Sequence, residues 1–375
     1  MKALFLHDSA DLQSGIPGGV QLCSREFLTI VQAAADSTRL HPVPPAHSLC
    51  YRIRRRLHLG SYLGYDVASQ SAALAAVIRE HAIDHVFINR AELLRFAPLL
   101  RQLAPEIRLV LMSHGNQTGD DLYEVTGIGG RRTGGWHRLT ATWQMGLDLR
   151  TESWHRRHGL DAVCVMSEEE RTLERWLGAG CTIVLPRRLE SAPLSRSPVA
   201  NRIGYVGTLD HTPNRVALEA VCRELERQAR PAGLELRICG GPPPVGEGLA
   251  ARFSFVHYLG RLDDNALRSE AATWSLMLNP LFWLSRGASM KLTTALGWGL
   301  PVLTTKAGAR GYEWGGAAVP VCADDPRKFV QAALDLLANP TALAAAGAAA
   351  QTAVASAPNL EALAGRLRQA LREIN

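Results

Sequence analysis

Short, mainly apolar runs recur along this chain, stop abruptly at polar or glycine residues, and are separated by longer stretches of helical periodicity. Residues 2–6 stop at His7-Asp8; 85–88 and 108–112 follow, the latter running straight into Ser113-His114-Gly115-Asn116; 162–166 and 182–185 complete a first set. The pattern breaks over 187–201, a Ser- and Pro-rich stretch without periodicity, and restarts at 202–207, 234–239, 255–262, 275–278 and 301–304. Strands that are apolar on both faces and alternate with helices belong to the parallel sheets of α/β domains. The break divides the chain into two such domains, and 375 residues is an ordinary length for two.

The stretch 279–311, NPLFWLSRGASMKLTTALGWGLPVLTTKAGARG, is the richest in chemistry. Gly287-Ala288-Ser289 removes bulky side chains just where a helix should begin, and Met290, Leu292, Ala295 and Leu296 give that helix an inward face. Gly297 and Gly299 end it, and Pro301 starts the next strand. A small-residue turn opening a helix leaves backbone N–H groups unpaired at the positive end of the helix dipole. Such a place seats phosphate, and Arg286 and Lys291 flank it as cations. By itself the pattern also describes an ordinary strand-turn-helix.

Other strand ends carry similar features. Gly18-Gly19, after the first strand, lets the backbone come close to a ligand. His114 stands at the carboxyl end of a strand, where open α/β sheets bind ligands. After the restart, Gly207-Thr208-Leu209-Asp210 reads as a loop and Pro213-Asn214 as the start of a helix running to 230. Ser167 with Glu168–Glu170, and Asp263-Asp264, have the form of helix N-caps. Residues 119–135, with five glycines between 127 and 135, read as a long loop, and 136–159 as one long helix rich in Trp, Arg and His.

As a set these motifs resemble the nucleotide-sugar glycosyltransferases of family 4. The matching residues of the long stretch are Gly287, Lys291, Leu292, Ala295, Gly299, Pro301, Val302, Gly308 and Gly311, and YVGTLD with Pro213-Asn214 is similar to the opening of the family's C-terminal domain. The resemblance implies an α/β chain of two Rossmann-like, doubly wound parallel-sheet domains facing a central cleft, the GT-B arrangement. Residues 1–190 would bind the acceptor, 191–355 the nucleotide sugar, and 356–375 would form a helix packing back on the first domain. Leu363, Leu367 and Leu371 recur at the four-residue spacing such packing requires.

The resemblance also implies a nucleotide-diphosphate sugar as co-substrate, with no obligatory cofactor or metal. The diphosphate would be held by Gly18, Gly19, Arg286, Gly287, Ala288, Ser289 and Lys291, and the ribose and base by Tyr258, Leu259 and Thr294. Gly207, Thr208 and Asn214 would form a loop beneath the diphosphate, and His114 would act close to the sugar. The expected reaction is transfer to a glycan or lipid-linked acceptor with retention of configuration, in polysaccharide or glycoconjugate assembly. One position departs from the family: a glutamate usually grips the ribose hydroxyls where this chain has Thr294, which cannot accept two hydrogen bonds with a full charge. That departure keeps open a second reading, a non-catalytic GT-B scaffold or partner subunit. A nucleotide-sugar 2-epimerase shares the fold but needs acid and base residues that this sequence does not place.

A net charge of +6 and a pI of about 9.1 suit an anionic donor or membrane surface, and no RNA- or DNA-binding motif accompanies them. Arg52, Arg54, Arg55 and Arg56, interleaved with Ile53, Leu57, Leu59 and Leu63, form either a solvated basic loop or a surface for anionic lipid. No run of eighteen apolar residues is present, the N-terminal strand reaches His7 too soon for a secretory signal, and seven scattered cysteines include no CxxC pair. The expected location is the cytoplasm, extending to a peripheral position on the inner face of the membrane.

Overall fold

The computed structural model describes residues 1–13, 18–46, 52–53, 56–57, 61–126, 135–283 and 287–374. The chain forms two compact units, one of 1–186 with 285–287 and 359–375, the other of 187–284 with 288–358.

The first unit is built on a parallel sheet of β1 (Lys2–Asp8), β2 (Ser37–Val43), β3 (His85–Asn89), β4 (Arg108–Met112), β5 (Ala162–Val165) and β6 (Thr182–Val184), in the order β2-β1-β3-β4-β5-β6. The central strands are the apolar runs of the sequence: Leu4, Leu6, Val86, Ile88, Leu109 and Leu111 are fully buried. β2 has no such run. It is an edge strand with Leu40 exposed and Pro42 in its ladder, which an edge permits, so apolar patterning gives no sign of it. Around the sheet lie α1 (Gly19–Ala34), α2 (Ser71–Glu80), α3 (Phe96–Leu103), α4 (Gln117–Thr126), α5 (Gly135–His158) and α6 (Glu168–Trp176).

α4 corrects the loop expected from Gly119 onward. Asn116 Oδ1 accepts from the Gly119 N–H at 2.8 Å, and the Glu152 carboxylate, from α5, accepts from the Gln117 N–H at 2.7 Å. A distant acid therefore adds a second N-terminal acceptor to the local Asn116 cap. The other residues expected in that loop, 127–134, lie outside the described residues. Ser167 caps α6 through the Glu170 N–H at 3.1 Å, as its sequence predicts.

The second unit repeats the design with β7 (Arg202–Val206), β8 (Glu235–Cys239), β9 (Val256–Gly260), β10 (Leu276–Asn279), β11 (Val302–Thr305) and β12 (Val321–Cys322), in the order β12-β11-β10-β7-β8-β9, all parallel. Its helices are α7 (Thr212–Arg227), α8 (Pro243–Arg252), α9 (Asp264–Ala271), α10 (Met290–Gly297), α11 (Pro326–Ala338) and α12 (Pro340–Ser356). α13 (Leu360–Glu373) belongs to the first unit, where Leu363, Leu367 and Leu371 are buried and the helix lies against α1. No single described helix is long and apolar enough to cross a membrane.

Strand order reverses between β7 and β10 in the second sheet and between β1 and β3 in the first. In open α/β sheets the crevice at such a reversal, beyond the carboxyl ends of the strands, is where ligands bind. The second reversal depends on one glycine: a Cβ on Gly204, in β7, would stand 1.9 Å from the ring of the fully buried Trp274. Gly204→Ala is expected to cost roughly 2–3 kcal/mol by overpacking and to lower the melting temperature by about 4–10 °C, measurable by calorimetry.

Candidate functional site

In the second unit, Lys291 stands on the first turn of α10. Its Nζ donates to Asn214 Oδ1 at 2.7 Å and lies 5.6 Å from the centre of the Tyr205 ring. Asn214, at the start of α7, donates in turn to the Thr208 carbonyl at 2.9 Å, so the loop after β7 and the start of α10 are joined through one amide. Removal from water pulls the Lys291 pKa down to about 8. The partners that hold the ammonium are neutral, and among the described residues no carboxylate is paired with it.

The Tyr205 hydroxyl is buried and has no hydrogen-bond partner among the described residues. It points to the loop after β7, where a Cβ on Gly207 would come within 3.2 Å of it and 3.4 Å of Lys291 Cδ. Gly240, with φ of +137°, lies so close that its Cβ would overlap the Gly207 carbonyl oxygen at 1.9 Å. Only glycine lets the loops after β7 and β8 meet in this way.

The turn into α10 is held from behind. Ser289 is the N-cap residue, yet its hydroxyl donates to Asn279 Oδ1 at 2.7 Å instead of capping the helix. Asn279 is fully buried and donates to Thr304 Oγ1 at 2.8 Å and to the Gly308 carbonyl at 3.2 Å. The Thr293 N–H donates to the Tyr312 hydroxyl at 2.9 Å and the Leu292 N–H to the Ser289 carbonyl at 3.1 Å. The N–H groups of Met290 and Lys291 have no hydrogen-bond partner among the described residues. Among the described residues, two open donors and an ammonium thus share the positive end of α10.

The other residues expected at this site have contacts of their own. The Thr294 hydroxyl donates to the Met290 carbonyl at 3.1 Å, folded back on its own helix. Tyr258 and Leu259 lie on the edge strand β9, and the Tyr258 hydroxyl donates to the Gly240 carbonyl at 2.8 Å. Gly287 is grouped with the first unit; its N–H donates to Glu170 Oε1 at 2.8 Å, and a Cβ there would meet the His114 carbonyl oxygen at 3.0 Å. Arg286 lies outside the described residues. Arg187, expected in the linker, is instead buried, and its Nη2 donates to the Ala288 carbonyl at 3.2 Å. A second cation therefore braces the turn, which nothing in its aperiodic surroundings signals.

In the first unit, His114 follows β4 and Nε2 lies 2.9 Å from Asn89 Oδ1, with the ring edge-on to Phe27 at 5.4 Å. Asn89 Nδ2 donates to Asp11 Oδ2 at 2.8 Å and to Ser24 Oγ at 2.9 Å. Arg90 reaches Asp11 at 3.1 Å and Asp8 at 3.4 Å, and the Tyr65 hydroxyl donates to Asp8 at 2.6 Å. Burial pushes the Asp11 carboxyl up to about 6, against the opposing pull of Arg90. Of this cluster only His114 is evident from sequence, because the rest come from distant parts of the chain. Gly18 and Gly19 open α1, both exposed, with the Gly18 N–H donated to Gln21 Oε1 at 3.1 Å.

On the surface of the same unit, Trp136, Leu139 and Trp143 are 78%, 61% and 61% exposed along one stripe of α5. Arg52, Ile53, Arg56 and Leu57 are exposed as well, and Ser61, shortly after them, is tied to Asp148 of α5 at 2.7 Å. Arg54 and Arg55 lie outside the described residues. Among the described residues no group of three His, Cys, Asp or Glu side chains could hold a metal ion.

Residues 200–339 match the sequence model of the family described as Glycosyl transferases group 1. Over most of its length the second unit is similar to the domains of that family. Solved structures share the fold of the whole chain. A sucrose-phosphate synthase from Thermosynechococcus elongatus is 16% identical over 99% of this chain and 98% of its own, with a TM-score of 0.69. HepE from Anabaena, in complex with UDP and glucose, is 15% identical over 99% of each chain, at 0.67. WaaG, a glycosyltransferase involved in lipopolysaccharide biosynthesis, is 18% identical over 98% of this chain and 99% of its own, at 0.62. No curated protein sequence matches the chain significantly. Its fold is that of the GT-B glycosyltransferases, and Gly207, Asn214 and Lys291 all lie within the matched residues.

Proposed function

We propose that this chain transfers a sugar from a nucleotide-diphosphate sugar to a glycan or lipid-linked acceptor, in polysaccharide or glycoconjugate assembly, with retention and without a metal ion. The observation that carries the reading is Lys291, a half-buried ammonium held by neutral groups beside two open backbone donors. Such a place is short of negative charge, and a diphosphate supplies it. In the proposed assignment, 191–355 binds the donor, with Ala288, Ser289 and Lys291 at the diphosphate and Thr294 at the ribose, and 1–190 binds the acceptor. The bond from the sugar carbon to the diphosphate oxygen breaks as the acceptor oxygen bonds to the same carbon and passes its proton to the departing phosphate. Cations and N–H groups at the leaving oxygens are then the main catalytic contribution, with His114 assisting from the first unit. HepE has been solved with UDP-glucose, which makes uridine nucleotides the first to try.

The test is thermal stabilisation by UDP, GDP, dTDP, CDP and ADP, with and without EDTA. A nucleotide at a hundred times its dissociation constant adds about 2.7 kcal/mol of stability. One clear hit, unaffected by EDTA, is expected; no shift with any nucleotide at millimolar concentration would sink the proposal and leave the scaffold reading. Affinity should also depend on pH with a definite sign. The diphosphate binds the ammonium form, and free Lys291 loses its proton near pH 8. Binding should therefore weaken by about tenfold from pH 7 to pH 9, and titration calorimetry of Lys291→Met should show a flat profile over that range.

The proposed location is the cytoplasm, peripheral to an anionic membrane. The exposed Trp136–Leu139–Trp143 stripe and the exposed Arg52 and Arg56 of the same unit support it, since indole rings and arginines suit the headgroup level of a lipid surface. At about 1 kcal/mol for each arginine near such a surface, Arg52→Ala with Arg56→Ala should lower partition onto anionic vesicles by about 30-fold. Equal flotation with neutral and anionic vesicles would count against the anionic surface.

A further inference from the structure

Buried side-chain amides can be oriented by what surrounds them, and Asn89 is such a case. It is fully buried at the carboxyl end of β3. On one side stand Asp11 Oδ2 at 2.8 Å and Ser24 Oγ at 2.9 Å, on the other His114 Nε2 at 2.9 Å. A carboxylate only accepts hydrogen bonds, so the amide must turn its NH₂ toward Asp11 and its oxygen toward His114. That oxygen also only accepts, so His114 must carry its proton on Nε2.

The supports of Asn89 are themselves fixed. Asp11 is held by Arg90 Nη1 at 3.1 Å and accepts from the Asp8 N–H at 3.2 Å. Asp8 is bonded in turn to Tyr65, and Arg90 also faces Glu92 at 3.8 Å. Arg90, the next residue along the chain, has φ of +78° and ψ of +147°, a region almost reserved for glycine. Strain of that kind persists only where the surroundings over-determine it, and here an arginine is kept in it beside the amide. This set of groups lies at the strand-order reversal of the first sheet, although only His114 among them stands out in the sequence.

We infer that Asn89, oriented by Asp11 and Ser24, is a positioning residue for His114, holding the imidazole in its Nε2–H form so that Nδ1 is the ring's acceptor. The inference rests on the proposed role of His114 in glycosyl transfer. It assigns that role a chemical form: when the imidazole is neutral, its tautomer is fixed, with the proton on Nε2 donated to Asn89.

The test is the ¹⁵N spectrum of the full-length protein labelled at histidine, with the His114 resonances identified by their loss in His114→Ala. The wild type should show Nε2 protonated and Nδ1 unprotonated, and Asn89→Ala should lose that preference. In a transfer assay with a sugar donor of the nucleotide that the panel above identifies, Asn89→Ala should lower kcat by about tenfold or more while donor KM stays within about twofold. An Nδ1–H form in the wild type, or an unchanged tautomer in Asn89→Ala, would overturn the assignment. The wild-type spectrum decides this even if the variant fails to fold. Full activity in His114→Ala would overturn the role in transfer, and the spectrum would then show whether Asn89 still orients the ring.

Discussion

Lys291→Met should lower affinity for the preferred nucleoside diphosphate by about 10- to 150-fold and at the same time raise the melting temperature of the free protein. The first effect is the loss of a charge-assisted hydrogen bond to phosphate, worth about 1.5–3 kcal/mol. The second follows from burial. The folded pKa of Lys291 is depressed to about 8, below its unfolded value, so folding carries the cost of a poorly solvated ammonium. That cost is complete below pH 8 and fades as pH rises toward the unfolded pKa. The gain in stability should therefore be largest near neutral pH and vanish at strongly alkaline pH. Methionine matches the length of the lysine stem, and Asn214 keeps its bond to the Thr208 carbonyl, so the loop should not collapse. Calorimetric titration and melting on the same preparations would check both halves. Weaker binding with a lower melting temperature would mean that the variant disrupts the turn rather than the ligand contact.

Arg156→Met is expected to have the largest effect on stability. Arg156 and Glu174 form an ion pair with side chains 0% and 1% exposed, and Arg156 Nη2 donates to Glu174 Oε1 at 2.9 Å. Arg156 Nη1 also donates to the Glu152 carbonyl at 3.2 Å. Glu152 is buried too, which raises its carboxyl pKa against the pull of Arg156, and it bonds Tyr62, Thr118 and the Gln117 N–H. Without the guanidinium, two buried acids lose their compensating charge, at a cost of about 3–5 kcal/mol. Melting of the first unit should fall by roughly 10 °C. Arg156→Met with Glu174→Leu should recover part of the loss, because the pair is replaced rather than broken. A single variant that melts within 2 °C of wild type would show the cluster to be solvated.

The features legible in sequence were those set by local chemistry. The run 108–112 ending in His114 announced a central strand and a residue at its carboxyl end, and Ser167 announced a cap. The turn 287–289 and the lysine two residues later were likewise visible, because a helix start depends on few neighbours. Features assembled from afar were not. α4 forms across Gly119 with Glu152 of another helix adding to the local Asn116 cap. β2 carries an edge pattern with a proline. Asp11, Asn89 and Arg90 meet only after β1 and β3 pair, and Arg187 reaches Ala288 across 101 positions of chain. The Thr294 substitution was visible, but the direction of its hydroxyl, back onto the Met290 carbonyl, was not.

Because α13 lies against α1 in the first unit, that unit cannot close as it leaves the ribosome. The intervening 187–358 must be made before the last helix emerges, roughly 10–30 seconds at about 5–20 residues per second. Until then part of α1 faces solvent with nothing to cover it, and a chaperone that holds apolar helix faces has its opening. The second unit can form in that interval from its own segment, so the order of completion is the reverse of the order of synthesis.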